Sequence, residues 1–76
     1  MKRKIEIDIP WSEMERLIDE YIWSDVARKM LKDRLYNGST FEELSERHHM
    51  SVQQTKRIFY KAEDKVFSKI PPEYIR

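Results

Sequence analysis

At three places along this chain a hydroxyl residue, answered three positions later by Glu or Gln, opens a new apolar phase. The pairs are Ser12 with Glu15, Thr40 with Glu43, and Ser51 with Gln54. A hydroxyl that accepts from the backbone three residues on, answered by a side chain that reaches back, is the capping box of a helix start. Behind Ser12, the residues Met14, Leu17, Ile18, Tyr21 and Ile22 recur at helical spacing as one apolar stripe. Ser24-Asp25 is a further cap, and Val26, Ala27, Met30, Leu31 and Leu35 form the next stripe. Asn37-Gly38 stops it, glycine being suited to the left-handed position after a helix. Phe41, Leu44 and His48 are the inward side of a short third helix. Val52, Thr55, Ile58, Phe59, Ala62 and Val66 form the stripe of a fourth, running to about Ser68 before Pro71-Pro72 closes it. Repeated caps, each ahead of a fresh stripe, predict an all-α fold: a small bundle of about four helices.

Ahead of these helices, Ile5, Ile7 and Ile9 alternate with Lys4, Glu6 and Asp8. Period two with β-branched residues predicts a short N-terminal β-strand, ended by Pro10. The 76 residues divide as one domain: a strand or arm over 1–10, supporting helices over 12–37, a helix-turn-helix over 40–68 and a tail over 69–76. The strand's apolar side lies against the helices, or pairs with the same strand of a second copy to give a homodimer through Ile5, Ile7 and Ile9.

Cysteine is absent, which excludes disulfide scaffolds, thiolate zinc sites, iron–sulfur clusters and cysteine nucleophiles. No apolar run approaches the ~18 residues of a membrane span, and Met1-Lys2-Arg3-Lys4 leads into no apolar signal stretch. The expectation is a cytoplasmic protein with no membrane partner. No phosphate loop or carboxylate cluster is visible, and no nucleophile is paired with a base; no enzyme and no cofactor is expected.

The net charge of +1 conceals an asymmetry. Residues 1–50 carry nine Lys/Arg and eleven Asp/Glu, a balance of −2; residues 51–76 carry six and three, a balance of +3. The C-terminal third is therefore the basic part, which suits nucleic acid and equally suits a solvated helix face.

Residues 38–62 carry the most information. They give a short helix, a connection at His48-His49-Met50, and a longer helix capped by Ser51. Such a pair is a helix-turn-helix, which places its second helix in the major groove of DNA. At ~100° per residue, the side opposite the stripe carries Gln53, Gln54, Arg57, Lys61, Asp64 and Ser68. Gln pairs bidentately with adenine and Arg with guanine. Lys56, Tyr60 and Lys61 are placed to hold phosphates, and the amides behind Ser51 suit another.

The run from Gly38 through Thr40-Phe41-Glu42-Glu43-Leu44, the turn, Ser51-Val52 and on to Lys61-Ala62 resembles the helix-turn-helix of bacterial sigma factors, in their fourth conserved region. The likeness spans about 25 residues without a gap, and the helix with Leu31, Arg34 and Leu35 fits the supporting helix of that family. The resemblance implies a DNA-binding transcriptional regulator reading a promoter element with Gln53, Gln54, Lys56, Arg57 and Tyr60. The chain has no room for the second sigma region that binds the −10 element and polymerase. The resemblance thus implies a small stand-alone sigma-like regulator of the type found in phages and mobile elements of Gram-positive bacteria. Departures from the family pattern are His48 and His49 at the turn, Thr55 in place of an aliphatic, and Ile58 in place of a basic residue.

Blander readings stand beside these. His48-His49 can serve a turn and cap, or a metal or catalytic base; adjacent residues point to different sides and no third ligand is suitably spaced, which favours the turn. Tyr21, Trp23 and Tyr36 read as core or interface. Arg28, Lys29, Lys32, Asp33 and Arg34 read as a solvated helix face, or as phosphate contacts. The alternative function is a protein-interaction module that binds RNA polymerase or another protein without touching DNA, through Glu13, Glu15, Asp19, Glu20 and exposed aromatics.

Overall fold

The structure is a computed structural model and describes residues 8–74. Four α-helices follow one another: α1 (Trp11–Tyr21), α2 (Asp25–Asn37), α3 (Phe41–Arg47) and α4 (Val52–Phe67), with a single 3₁₀ turn at Pro72–Tyr74.

Capping chemistry sets most of the boundaries. Ser24 accepts from the Ala27 amide at 3.3 Å, and Ser51 from the Gln54 amide at 3.0 Å. At α3 both halves of the box form: the Glu43 amide donates to Thr40 Oγ1 at 3.1 Å, and the Thr40 amide to Glu43 Oε1 at 2.8 Å. Gly38 ends α2 at φ 73°. An added Cβ there meets nothing within 4 Å, so the demand for glycine is conformational rather than steric.

The start of α1 differs from the expected box. The helix begins at Trp11 with Pro10 in the capping position and no side-chain cap, which leaves Ser12 inside the first turn. The Pro10 ring holds φ at −60°, and its carbonyl accepts from the amides of Glu13 and Met14. Trp11 stacks on Tyr36 at 5.0 Å between centroids, which anchors that first turn. Glu15 does not reach back to a cap; it lies 3.7 Å from Lys32 Nζ.

The expected N-terminal strand falls largely outside the described residues, because Ile5 and Ile7 are not among them. Residues 8–10 form no strand. The Asp8 amide donates to the Tyr74 carbonyl at 2.7 Å, and no strand among the described residues offers an edge for a ladder. Ile9 packs half-buried against the helical core.

The core joins all four helices. Met14, Leu17 and Ile18 of α1, Ala27, Met30 and Leu31 of α2, Phe41 and Leu44 of α3, and Phe59, Ala62 and Val66 of α4 are buried. Ile22 and Ile70 close its ends, so the tail contributes an anchor to the core. Leu35 and Val26, at the margins of the α2 stripe, stay partly exposed. Thr55, where an aliphatic was the expected type, is fully buried; its hydroxyl donates to the Ser51 carbonyl at 2.8 Å, so only its methyl enters the core unpaired.

Candidate nucleic-acid interface

The turn between α3 and α4 is built from backbone geometry. The His49 amide donates to the Glu46 carbonyl at 3.3 Å and the Met50 amide to the Ser45 carbonyl at 3.0 Å. These are the two bonds of a Schellman motif, with His49 in its left-handed position at φ 57°. Histidine tolerates that region better than most residues with a Cβ. His48 caps α3, and its Nε2 is shielded from solvent with no hydrogen-bond partner.

A tight joint sets the angle between α3 and α4. Phe41 meets Phe59 edge-on at 5.5 Å, and Tyr60 flanks both rings at 5.6 and 5.4 Å. The Arg34 guanidinium from α2 lies 3.9 Å above the Phe41 ring and donates to the Ser39 carbonyl at 2.8 Å. Cation–π contact of this kind fixes three helices at one point.

All seven residues singled out in the sequence, Ser51, Gln53, Gln54, Lys56, Arg57, Tyr60 and Lys61, are exposed on α4 or at its cap. Gln53, Arg57 and Lys61 form one row at i, i+4 and i+8. Lys56 and Tyr60 lean to the α3 side, where Lys56 Nζ lies 5.6 Å from the Phe41 centroid. Gln54 and Lys61 face the other way, and Lys61 borders a groove beside the α1–α2 turn. The Ser51 hydroxyl is engaged in the cap, which leaves only backbone amides for an anion. Asp64 shares the row and weakens its positive field.

The electrostatic state of this face contrasts with the rest of the molecule. Arg16 pairs with Glu13 and, at 3.0 Å, with Glu20. Lys32 pairs with Asp19 at 2.8 Å, and Arg47 with Asp33 at 2.6 Å. Arg28 donates to the carbonyls of Ile22 and Asp19 at 2.5 and 3.0 Å. Arg28, Lys32 and Arg34 are therefore staples between elements rather than a solvated face, and of that group Lys29 alone stays exposed without a partner among the described residues. The acidic residues of α1 are engaged with the same cations. Arg57, Lys61 and Lys65 on α4 enter no ion pair or hydrogen bond among the described residues.

Glu63, half-buried on the flank of α4, has its carboxyl pushed above the ordinary range by burial and then by Asp64, with Arg34 pulling the other way. One feature escaped the sequence reading. Lys65, four residues beyond Lys61, extends the unpaired cations. Trp23, read as core or interface, is not in the core and stands 90% exposed between α1 and α2. Its position outside both apolar stripes was the available signal.

Compared with protein-family models, with curated proteins and with solved structures, the chain gives no match. The sigma region-four resemblance rests on the motif of residues 38–62 and the preceding helix with Leu31, Arg34 and Leu35.

Proposed function

We propose that this chain is a DNA-binding transcriptional regulator that acts by binding rather than catalysis and presents α4 to the major groove. The observation that carries the reading is the exposed row Gln53–Arg57–Lys61, whose cations lack intramolecular partners among the described residues while those of α1, α2 and α3 are largely engaged. An unpaired cation releases counterions when it meets a phosphate and gives up no existing bond. Gln53, Gln54 and Arg57 read base edges; Lys56, Tyr60 and Lys61 hold the backbone. The capping turn and the Arg34–Phe41–Phe59 joint present the helix as a rigid body.

Fluorescence anisotropy with labelled duplex DNA at two salt concentrations tests the reading. One chain by itself is expected near the non-specific range of roughly 10⁻⁴–10⁻⁶ M, weakening steeply with salt. Replacing Arg57 and Lys61 by Ala together should lower the log–log salt slope by about 2, at ~0.9 for each phosphate no longer neutralised. Both side chains are exposed, so the fold should persist. Binding unchanged in that double variant at low salt would sink the proposal. Absence of binding together with salt-insensitive docking to RNA polymerase would favour the protein-interaction reading.

A further inference from the structure

The face formed by the α1–α2 turn and the adjacent side of α4 is unused by the DNA reading except at its border, Lys61. Trp23 is its most prominent feature, at 90% exposure the barest large apolar side chain described. The link that carries it is fastened on both sides. Ile22 is buried and its carbonyl accepts from Arg28 Nε at 2.5 Å; Ser24 caps α2. The indole's mounting is thus already ordered before any partner arrives, which lowers the entropy cost of docking it.

Trp23 itself forms one wall of a groove of about 350 Å³. Tyr21, Ile58 and Ala62 are among its apolar lining, and Lys61 and Lys65 border it. Projection and groove also differ in charge. Asp25, two residues after Trp23, has its side chain 86% exposed and meets Arg28 only at 3.5 Å. Glu20, three residues before, is half exposed but already paired with Arg16 at 3.0 Å, so Asp25 is the carboxylate on offer. Lys65 at the groove has no ion pair among the described residues. One patch therefore holds an exposed indole with the Asp25 carboxylate near it in the chain and an apolar groove, walled in part by that indole, with the Lys61 and Lys65 ammonium groups at its border.

A surface that meets itself across a two-fold axis must be self-complementary, with each feature opposed by its counterpart on the other copy. We infer that the occupant of this groove is a second copy of the chain, docked with two-fold symmetry. The Trp23 of each copy covers the groove of the other, and Asp25 of each faces Lys65 of the other. A standard interface takes ~800 Å² per partner, of which one indole supplies up to ~250 Å². Tryptophan at the centre with a charged rim is the usual anatomy of such a contact.

Sedimentation equilibrium of the free protein, across micromolar to millimolar concentrations and without DNA, reads this directly. It is independent of the DNA reading. The expected mass rises from 9.4 kDa towards twice that value. Trp23→Ser should shift the transition at least tenfold upward in concentration, while melting followed by circular dichroism stays cooperative. Lys65→Glu should weaken the dimer, and Lys65→Glu with Asp25→Lys should restore it, because the swapped charges face each other again. A monomer at every concentration would overturn the inference. So would a dimer indifferent to Trp23→Ser, or a charge swap that fails to restore association while both variants remain folded.

Discussion

Single residues in this protein are informative where their surroundings contradict their type. Glu63 is the clearest case. Burial and the adjacent Asp64 raise its pKa, so the folded chain holds the proton more tightly than the unfolded chain does. Stability therefore falls as pH rises from the ordinary carboxylate range through the raised value, and the deficit persists at neutral pH. Glu63→Gln removes the ionisation. Melting curves should show a higher Tm than the parent at neutral pH and no gain well below the ordinary value of ~4.3. An equal gain at both pH values would assign the effect to packing instead. Nothing in the sequence marked Glu63, because its burial comes from its flank position between α4 and neighbouring helices rather than from its own helical phase. Arg34 is similar. It read as part of a solvated run, yet its guanidinium covers Phe41 and holds the Ser39 carbonyl.

The helices and their turns were the legible part. Thr40–Glu43 and Ser51–Gln54 are bonds over three residues, so the residues that make them are adjacent in sequence as well as in space. Pro10 is the exception, since a proline carbonyl and a stacked Trp11 start α1 without a hydroxyl cap. The α3–α4 turn carries strain at one known point, His49 at φ 57°. A side chain there costs conformational energy that glycine avoids, and the exposed imidazole forms no hydrogen bond or ion pair among the described residues that the exchange would remove. His49→Gly should stabilise the protein by about 0.5–1 kcal/mol, after the larger backbone entropy of unfolded glycine is counted. At this size that is a rise in Tm of several degrees, since 1 kcal/mol corresponds to ~4–8 °C. A fall in Tm would mean that the turn gains more from histidine than its backbone loses.

At the scale of the whole molecule, the core is small and shared. Phe59 is 2% exposed and touches the α3 ring Phe41 and its neighbour Tyr60. Phe→Ala in a core costs about 3–5 kcal/mol. A core in a domain this short supplies about the same. Phe59→Ala should therefore leave no cooperative melting transition and a far-ultraviolet circular dichroism signal much reduced from the parent. A folded variant with a merely lowered Tm would show that stability comes from elsewhere, for instance from association of two copies. No helix among the described residues is long and apolar enough to cross a membrane. The charge asymmetry seen along the chain becomes, in three dimensions, a division between cations that staple helices and cations on α4 that face outward alone.

That division marks the line between what could be read from the chain and what could not. The starts of α2, α3 and α4, the left-handed stop at Gly38 and the outward row of α4 depend on interactions within about four residues, and local pattern exposes them. Partner choice depends on which helices meet. Arg47 finds Asp33 fourteen residues away and Lys32 finds Asp19 thirteen away, and only packing brings such groups within 3 Å. The same packing leaves Trp23 outside the core as one wall of a groove that residues of α1, α2 and α4 line with it. Local rules wrote the helices; the meeting of distant segments chose which charges and aromatics remain available to a partner.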